Sequence, residues 1–109
     1  MGYTYNITFI VSPEDESRLI GYLRKRLIPA LFTLSSLASE PQLRKVVETG
    51  GEKLTPEHGL SLALSVQFLT EDEAHQWYTD TFAVGVESFH QEFGHEALYF
   101  PTLLENIEI

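Results

Sequence analysis

The chain predicts an α+β sandwich, a four-stranded antiparallel sheet with two helices on one face. Two alternating runs and a helix signature carry that expectation. From Leu60 to Leu69, the residues Leu60, Leu62, Leu64, Val66 and Phe68 alternate with Ser61, Ala63, Ser65 and Gln67. That is the period of two of a strand buried on one face. Tyr3, Tyr5, Ile7, Phe9 and Val11 alternate in the same way with Thr4, Asn6, Thr8 and Ile10. The run Thr70-Glu71-Asp72-Glu73 has the spacing of a capping box, in which hydroxyl and carboxylate satisfy each other's orphan amides at a helix start. With 109 residues, 43% of them hydrophobic, the chain can fill one core and is too short for two, so residues 1–109 read as one domain.

Taken in order, the Tyr3 run is a first strand rich in aromatic and β-branched residues. Ser12 stands at an N-cap position, Pro13 at the first helical position, and Glu14, Asp15 and Glu16 beside the positive end of the helix dipole. The apolar stripe of this helix is Leu19, Ile20, Leu23 and Leu27, and Pro29 should stop or kink it. Arg24, Lys25 and Arg26 then offset the negative end of the dipole. Ala30 to Glu40 fits either more helix or a packed loop. Gln42 to Glu48 is a short strand whose charges suit a sheet edge, and Thr49 to Gly59 is a connecting loop. Gly50-Gly51 and Lys53 lack the Gly-Lys-Ser/Thr ending of a phosphate cradle.

The helix opened by Thr70 has the stripe Ala74, Tyr78, Phe82, Gly85, Val86, Phe89 and Phe93, with Gly94 at a left-handed C-cap. Gly85 implies a close approach of this helix to the sheet. Ala97 to Leu104 is the last strand, and Pro101, which cannot donate to a ladder, places it at an edge.

Strand, helix, strand, strand, helix, strand is the split βαβ order of the ferredoxin-like sandwich, with the first and third strands central. Two helices cover one face of four strands, so the face bearing Thr4, Asn6, Thr8, Ser65 and Gln67 is left open. Such sheets commonly pair into a dimeric α/β barrel. Leu31, Phe32, Leu34 and Leu37, with Leu103, Leu104, Ile107 and Ile109, are candidate dimer contacts.

Seven Lys plus Arg against sixteen Asp plus Glu leave a net charge of −9, which repels phosphate backbones and anionic membranes, so neither nucleic acid nor membrane is an expected partner. Without cysteine there is no thiolate nucleophile, disulfide or cysteine-ligated metal. No basic n-region, apolar h-region or long apolar run occurs, and a soluble cytoplasmic protein is expected. The sequon Asn6-Ile7-Thr8 lies inside a strand and reads as chance.

The chain also resembles a small uncharacterised bacterial family, a domain of unknown function of about this length. The likeness rests on Tyr5-Asn6-Ile7-Thr8, Ile28-Pro29, Ser65-Val66-Gln67-Phe68, Phe93-Gly94 and Phe100-Pro101-Thr102-Leu103-Leu104-Glu105. It implies the dimeric sandwich and no activity. An arginine that the family often has where this chain has Pro101 cannot be carried over.

Chemistry is thinly signalled. His58, His75, His90 and His95 form no metal-ligand spacing, and His75 reads as a helical pair with Glu71. Ser61 and Ser65 are flat strand positions without a nucleophile elbow. Neither metal nor cofactor is expected, and no catalytic residue is assigned. The leading expectation is a homodimer that binds a small ligand or protein partner at the open sheet face. Its cleft candidates are Asn6, Thr8, Ser65, Gln67 and His90. The alternative is a cofactor-free monooxygenase, an isomerase or a haem-degrading enzyme of the dimeric α/β-barrel type. Haem degraders resemble this chain in a first-strand asparagine, here Asn6, and a second-helix histidine, here His90, but place a tryptophan where this chain has Gln67 and Phe68.

Overall fold

The structure, a computed structural model, describes residues 2–34, 40–47, 60–94 and 97–109. Strand β1 (Gly2–Val11) leads through a 3₁₀ turn, Pro13–Asp15, into α1 (Glu16–Tyr22), a π turn, Leu23–Leu27, and α2 (Ile28–Leu34). Then come β2 (Gln42–Lys45), β3 (Leu60–Phe68), α3 (Glu71–Trp77), a second π turn, Tyr78–Phe82, α4 (Ala83–Phe93) and β4 (Ala97–Asn106). The sheet order is β2-β3-β1-β4, and every neighbouring pair is antiparallel. The two alternating runs are thus the central strands, with Arg44 and Lys45 on one edge and Pro101 on the other.

One face of β1 and β3 makes the core. Ile7, Phe9, Leu64 and Val66 are fully buried beneath Leu19, Leu23, Leu27 and Leu31 of the first helical arm and Trp77, Phe82 and Phe89 of the second. Aromatic rings run through this core in contact: Trp77 lies 5.3 Å from Phe68, 5.9 Å from Tyr5 and 5.7 Å from Phe82. Tyr78 stacks on Tyr5 at 5.0 Å, and Tyr99 meets Phe82 at 5.6 Å and Phe89 at 5.8 Å. Tilted and edge-on pairs of this kind add to burial because ring edges are electropositive and ring faces electronegative.

The helices depart from the sequence expectation in instructive ways. The first arm does not end at Pro29 but runs on to Leu34. The π turn before the proline widens the helix, Ile28 N–H reaching back five residues to the Leu23 carbonyl, which takes up the missing donor and bulk of the ring without ending the helix. Arg24, Lys25 and Arg26 therefore lie mid-arm on an exposed face, not at a helix end. The Ser12 hydroxyl bonds the Asp15 carboxylate at 3.0 Å instead of capping a backbone amide. Leu31 is fully buried in the core and so is not a dimer contact, while Phe32 and Leu103 are partly buried against that core. Leu37, the Gly50-Gly51 loop, His58 and His95 lie outside the described residues.

In the second arm Thr70 Oγ1 accepts from Glu73 N–H at 3.1 Å, the first half of the capping box. Thr70→Ala should cost about 1 kcal/mol, read as a lower midpoint in urea with an unchanged slope; unchanged stability would remove this role for the cap. Gly85 serves helix–helix and not helix–sheet contact, since a Cβ there would stand 2.9 Å from Leu31 Cδ2 and 3.6 Å from Leu27 Cδ1. Gly94 takes the left-handed φ of +57° and donates to the His90 carbonyl at 2.9 Å, ending α4 as expected.

Candidate functional site

Strand pairing assembles the open face row by row, because residues directly opposite in antiparallel strands share a face. Gln42, Ser65, Asn6 and Thr102 form one row, and Arg44, Ala63, Thr8 and Phe100 the next. Gln67, Thr4 and Leu104 lie on the other side of the first row, and Leu98 pairs with Ile10 beyond the second. Four expected cleft residues, Asn6, Thr8, Ser65 and Gln67, are therefore brought together on one surface.

Hydrogen bonds knit this surface across three strands. Ser65 Oγ donates to Asn6 Oδ1 at 3.1 Å, and Asn6 Nδ2 donates to Thr8 Oγ1 at 3.2 Å. The Thr4 hydroxyl lies 2.9 Å from Gln67 Oε1 and 2.8 Å from Asn106 Oδ1, while Asn106 Nδ2 donates to Gln67 Oε1 at 3.0 Å. Thr4 and Ser65 are only 8% and 7% exposed, so these hydroxyls depend on protein partners in place of water. Asn6 keeps a second amide hydrogen beyond its bond to Thr8, enough to orient a ligand.

The charge distribution is as telling as the hydrogen bonds. The chain has sixteen Asp plus Glu, yet among the described residues no strand position on this face is acidic, and Arg44 is the one charged strand position there. Glu105 of β4 pairs with Tyr3 on the opposite face and accepts from the Tyr3 hydroxyl at 3.3 Å. Beside the polar rows, Leu98, Phe100 and Leu104 are 54%, 51% and 47% exposed. Sequence inspection missed Thr102, Asn106, Leu98 and Phe100, and named Leu104 as a dimer contact without its face, because β4 is apolar on both faces, so no alternation reveals its phase.

His90 is not part of this surface. It stands exposed on α4, on the helix side of the sheet, its ring 5.4 Å from Tyr99 and 5.9 Å from Phe89. Asn6 and His90 are separated by the sheet, and a centre using both has no geometric support. Among the described residues no three His, Asp or Glu groups gather as metal ligands, and no helix is long and apolar enough to cross a membrane. The Glu71–His75 pair forms at 3.3 Å on the helix surface.

Three tyrosines hold their protons more tightly than usual. The carboxylate of Glu105 beside Tyr3 is the main cause there, whereas burial is the main cause for Tyr5 and Tyr99, with Tyr78 adding to both. The folded state thus favours neutral phenols, and this contribution to stability is complete below the ordinary phenol value of 10.0 and is lost as pH rises past it. Unfolding free energy should fall in that alkaline range, and Tyr5→Phe should flatten the fall. A stability independent of pH there would contradict the burial of these rings.

The family model described as "Domain of unknown function (DUF4286)" matches residues 2–107. The chain belongs to that family. No curated protein matches it in sequence. Among solved structures it is similar to an ethyl tert-butyl ether d (EthD) family protein from Bacillus halodurans C-125, at 13% identity over 96% of this chain and 99% of that chain, with a TM-score of 0.71. It is similar also to a monooxygenase candidate from Shewanella loihica PV-4, at 14% identity over 99% and 97% of the two chains, TM-score 0.57. A dimeric ferredoxin-like protein from an uncultured marine organism aligns at 11% identity over 98% and 97%, TM-score 0.55. At these identities the likeness establishes the ferredoxin-like fold of the family member and carries no activity across.

Proposed function

We propose that the protein works as a homodimer whose open sheet faces close on one another around a small ligand, without catalysis of its own. The observation that carries this reading is the acid-free face. Two bodies of net charge −9 repel, and this sheet surface lets them meet without opposing carboxylates while burying Leu98, Phe100 and Leu104. The hydroxyl and amide rows around Asn6, Thr8, Ser65 and Gln67 then supply oriented donors and acceptors to a molecule held between the sheets. A neighbour named as a dimeric ferredoxin-like protein supports the assembly. The absence of cysteine suits a reducing cytoplasm.

Native mass spectrometry of freshly purified protein tests both halves of the proposal. A dimer carrying a small-molecule adduct is expected. A monomer at micromolar concentration would overturn the assembly, and a bare dimer would remove the ligand and leave a protein partner as the role of the face.

A further inference from the structure

Arg44 places a full positive charge on the open sheet face, in the row that continues through Ala63 and Thr8 to Phe100. Its guanidinium bonds the side-chain oxygen of Gln42, which shares this face of β2 while Leu43 between them packs against the core. A guanidinium has five N–H donors in a planar fork, and that bond engages one of them. The neighbouring hydrogen bonds all run one way. Ser65 Oγ donates to Asn6 Oδ1, and Asn6 Nδ2 donates to Thr8 Oγ1. The series thus ends at Thr8, whose hydroxyl accepts from Asn6 and still has its own hydrogen to give. Thr8 and Arg44 are two strands apart, about 10 Å between backbones, and Ala63, with its single methyl, keeps the floor between them low. Phe100, 51% exposed, stands on the far side of Thr8.

We propose that the sheet-face ligand is a small aromatic monocarboxylate, its carboxylate held over Ala63 between Arg44 and Thr8 and its ring carried across to Phe100. The assignment rests on the reading of this face as a ligand site, and it names the chemistry of the occupant. A guanidinium fork matches the two oxygens of a carboxylate with parallel N–H donors, and the Thr8 hydroxyl adds a donor from the opposite side. An uncharged ligand would supply no counter-charge to a guanidinium whose strand neighbours Gln42, Ala63 and Ser65 are neutral. A second carboxylate at the other end would lose its hydration against Phe100 and Leu98. The row crosses three strand spacings, roughly 14 Å, which is room for a carboxylate and one or two fused rings that stack on Phe100.

Titration of the full chain with 2-naphthoate and 2-naphthamide, which share a ring system and differ in charge, tests the proposal by NMR of the amides and side chains. Saturable shifts at Asn6, Thr8, Ala63 and Arg44 are expected with 2-naphthoate, and binding of the amide should be at least about tenfold weaker. Arg44→Gln should bring 2-naphthoate down to the level of the amide without disturbing the fold, since the residue is exposed on an edge strand. Arg24→Gln makes the same change of charge on the exposed surface of the first helical arm and should alter neither titration. Equal binding of the two probes, indifference to Arg44→Gln, or an equal effect of Arg24→Gln would overturn the carboxylate assignment, and shifts that stay on the sheet face would leave the ligand site itself standing. No saturable shift with either probe would overturn the assignment too, and the sheet-face ligand falls with it only where native mass spectra also show a bare dimer.

Discussion

Trp77→Ala is expected to bring the protein close to unfolding. The indole is fully buried among Tyr5, Phe68 and Phe82, and removing a core aromatic of this size costs about 3–5 kcal/mol. Domains of this length lose roughly 4–8 °C of melting temperature per kcal/mol, and typical total stability is only about 5–15 kcal/mol. Trp77→Phe should be far milder than the alanine change. The indole Nε1–H has no hydrogen-bond partner among the described residues, and an unpaired buried donor is a penalty of about 1–3 kcal/mol that phenylalanine does not carry. Urea denaturation followed by circular dichroism orders the three proteins. An alanine variant within about 1 kcal/mol of the parent would mean that the second arm does not seat Trp77 in the core.

The second large effect is on assembly. Phe100→Asp places a carboxylate on the acid-free face, at a ring that is half exposed in the single chain, so the fold should survive. In a two-fold interface the change acts twice. The half of the ring still exposed in the single chain represents about 0.8–1.5 kcal/mol of burial per copy, and opposed aspartates add repulsion. The dimer dissociation constant should rise by roughly one to two orders of magnitude from lost burial alone. Val84→Asp, on the exposed surface of α4, should leave it unchanged. Sedimentation across a concentration series reads both, and equal dissociation constants for the parent and Phe100→Asp would remove the sheet face from the interface.

The fold was legible where one face of an element is apolar and the other is not. β1 and β3 meet that condition, which is why their order, their central place and the shared face of Asn6, Thr8, Ser65 and Gln67 could be read directly. The helical arms were legible at their ends, from Thr70 and Gly94, but not in their interior. Trp77 and Thr81 lie inside, three and seven residues after Ala74 and so on its face of an ordinary helix, but the stripe traced through Tyr78 passed beside them. Nothing in the sequence announces a π turn. Pro29 gave a stop signal that the wider turn overrode. His90 was legible as the flank of Phe89, and its distance from Asn6 was not, because sequence spacing says nothing about which side of a sheet a helix residue occupies.

The line of touching rings in the core has an optical consequence. Trp77 is the only tryptophan among five tyrosines, and Tyr5 and Tyr78 lie in its chain of contacts. Ultraviolet light absorbed by those phenols should be passed to the indole and re-emitted at the short wavelengths of a dry environment. Because Trp77 sits on the helix side of the sheet, that glow reports whether the chain is folded and stays indifferent to what closes over the other face. The protein thus carries a built-in gauge that separates loss of structure from loss of a partner.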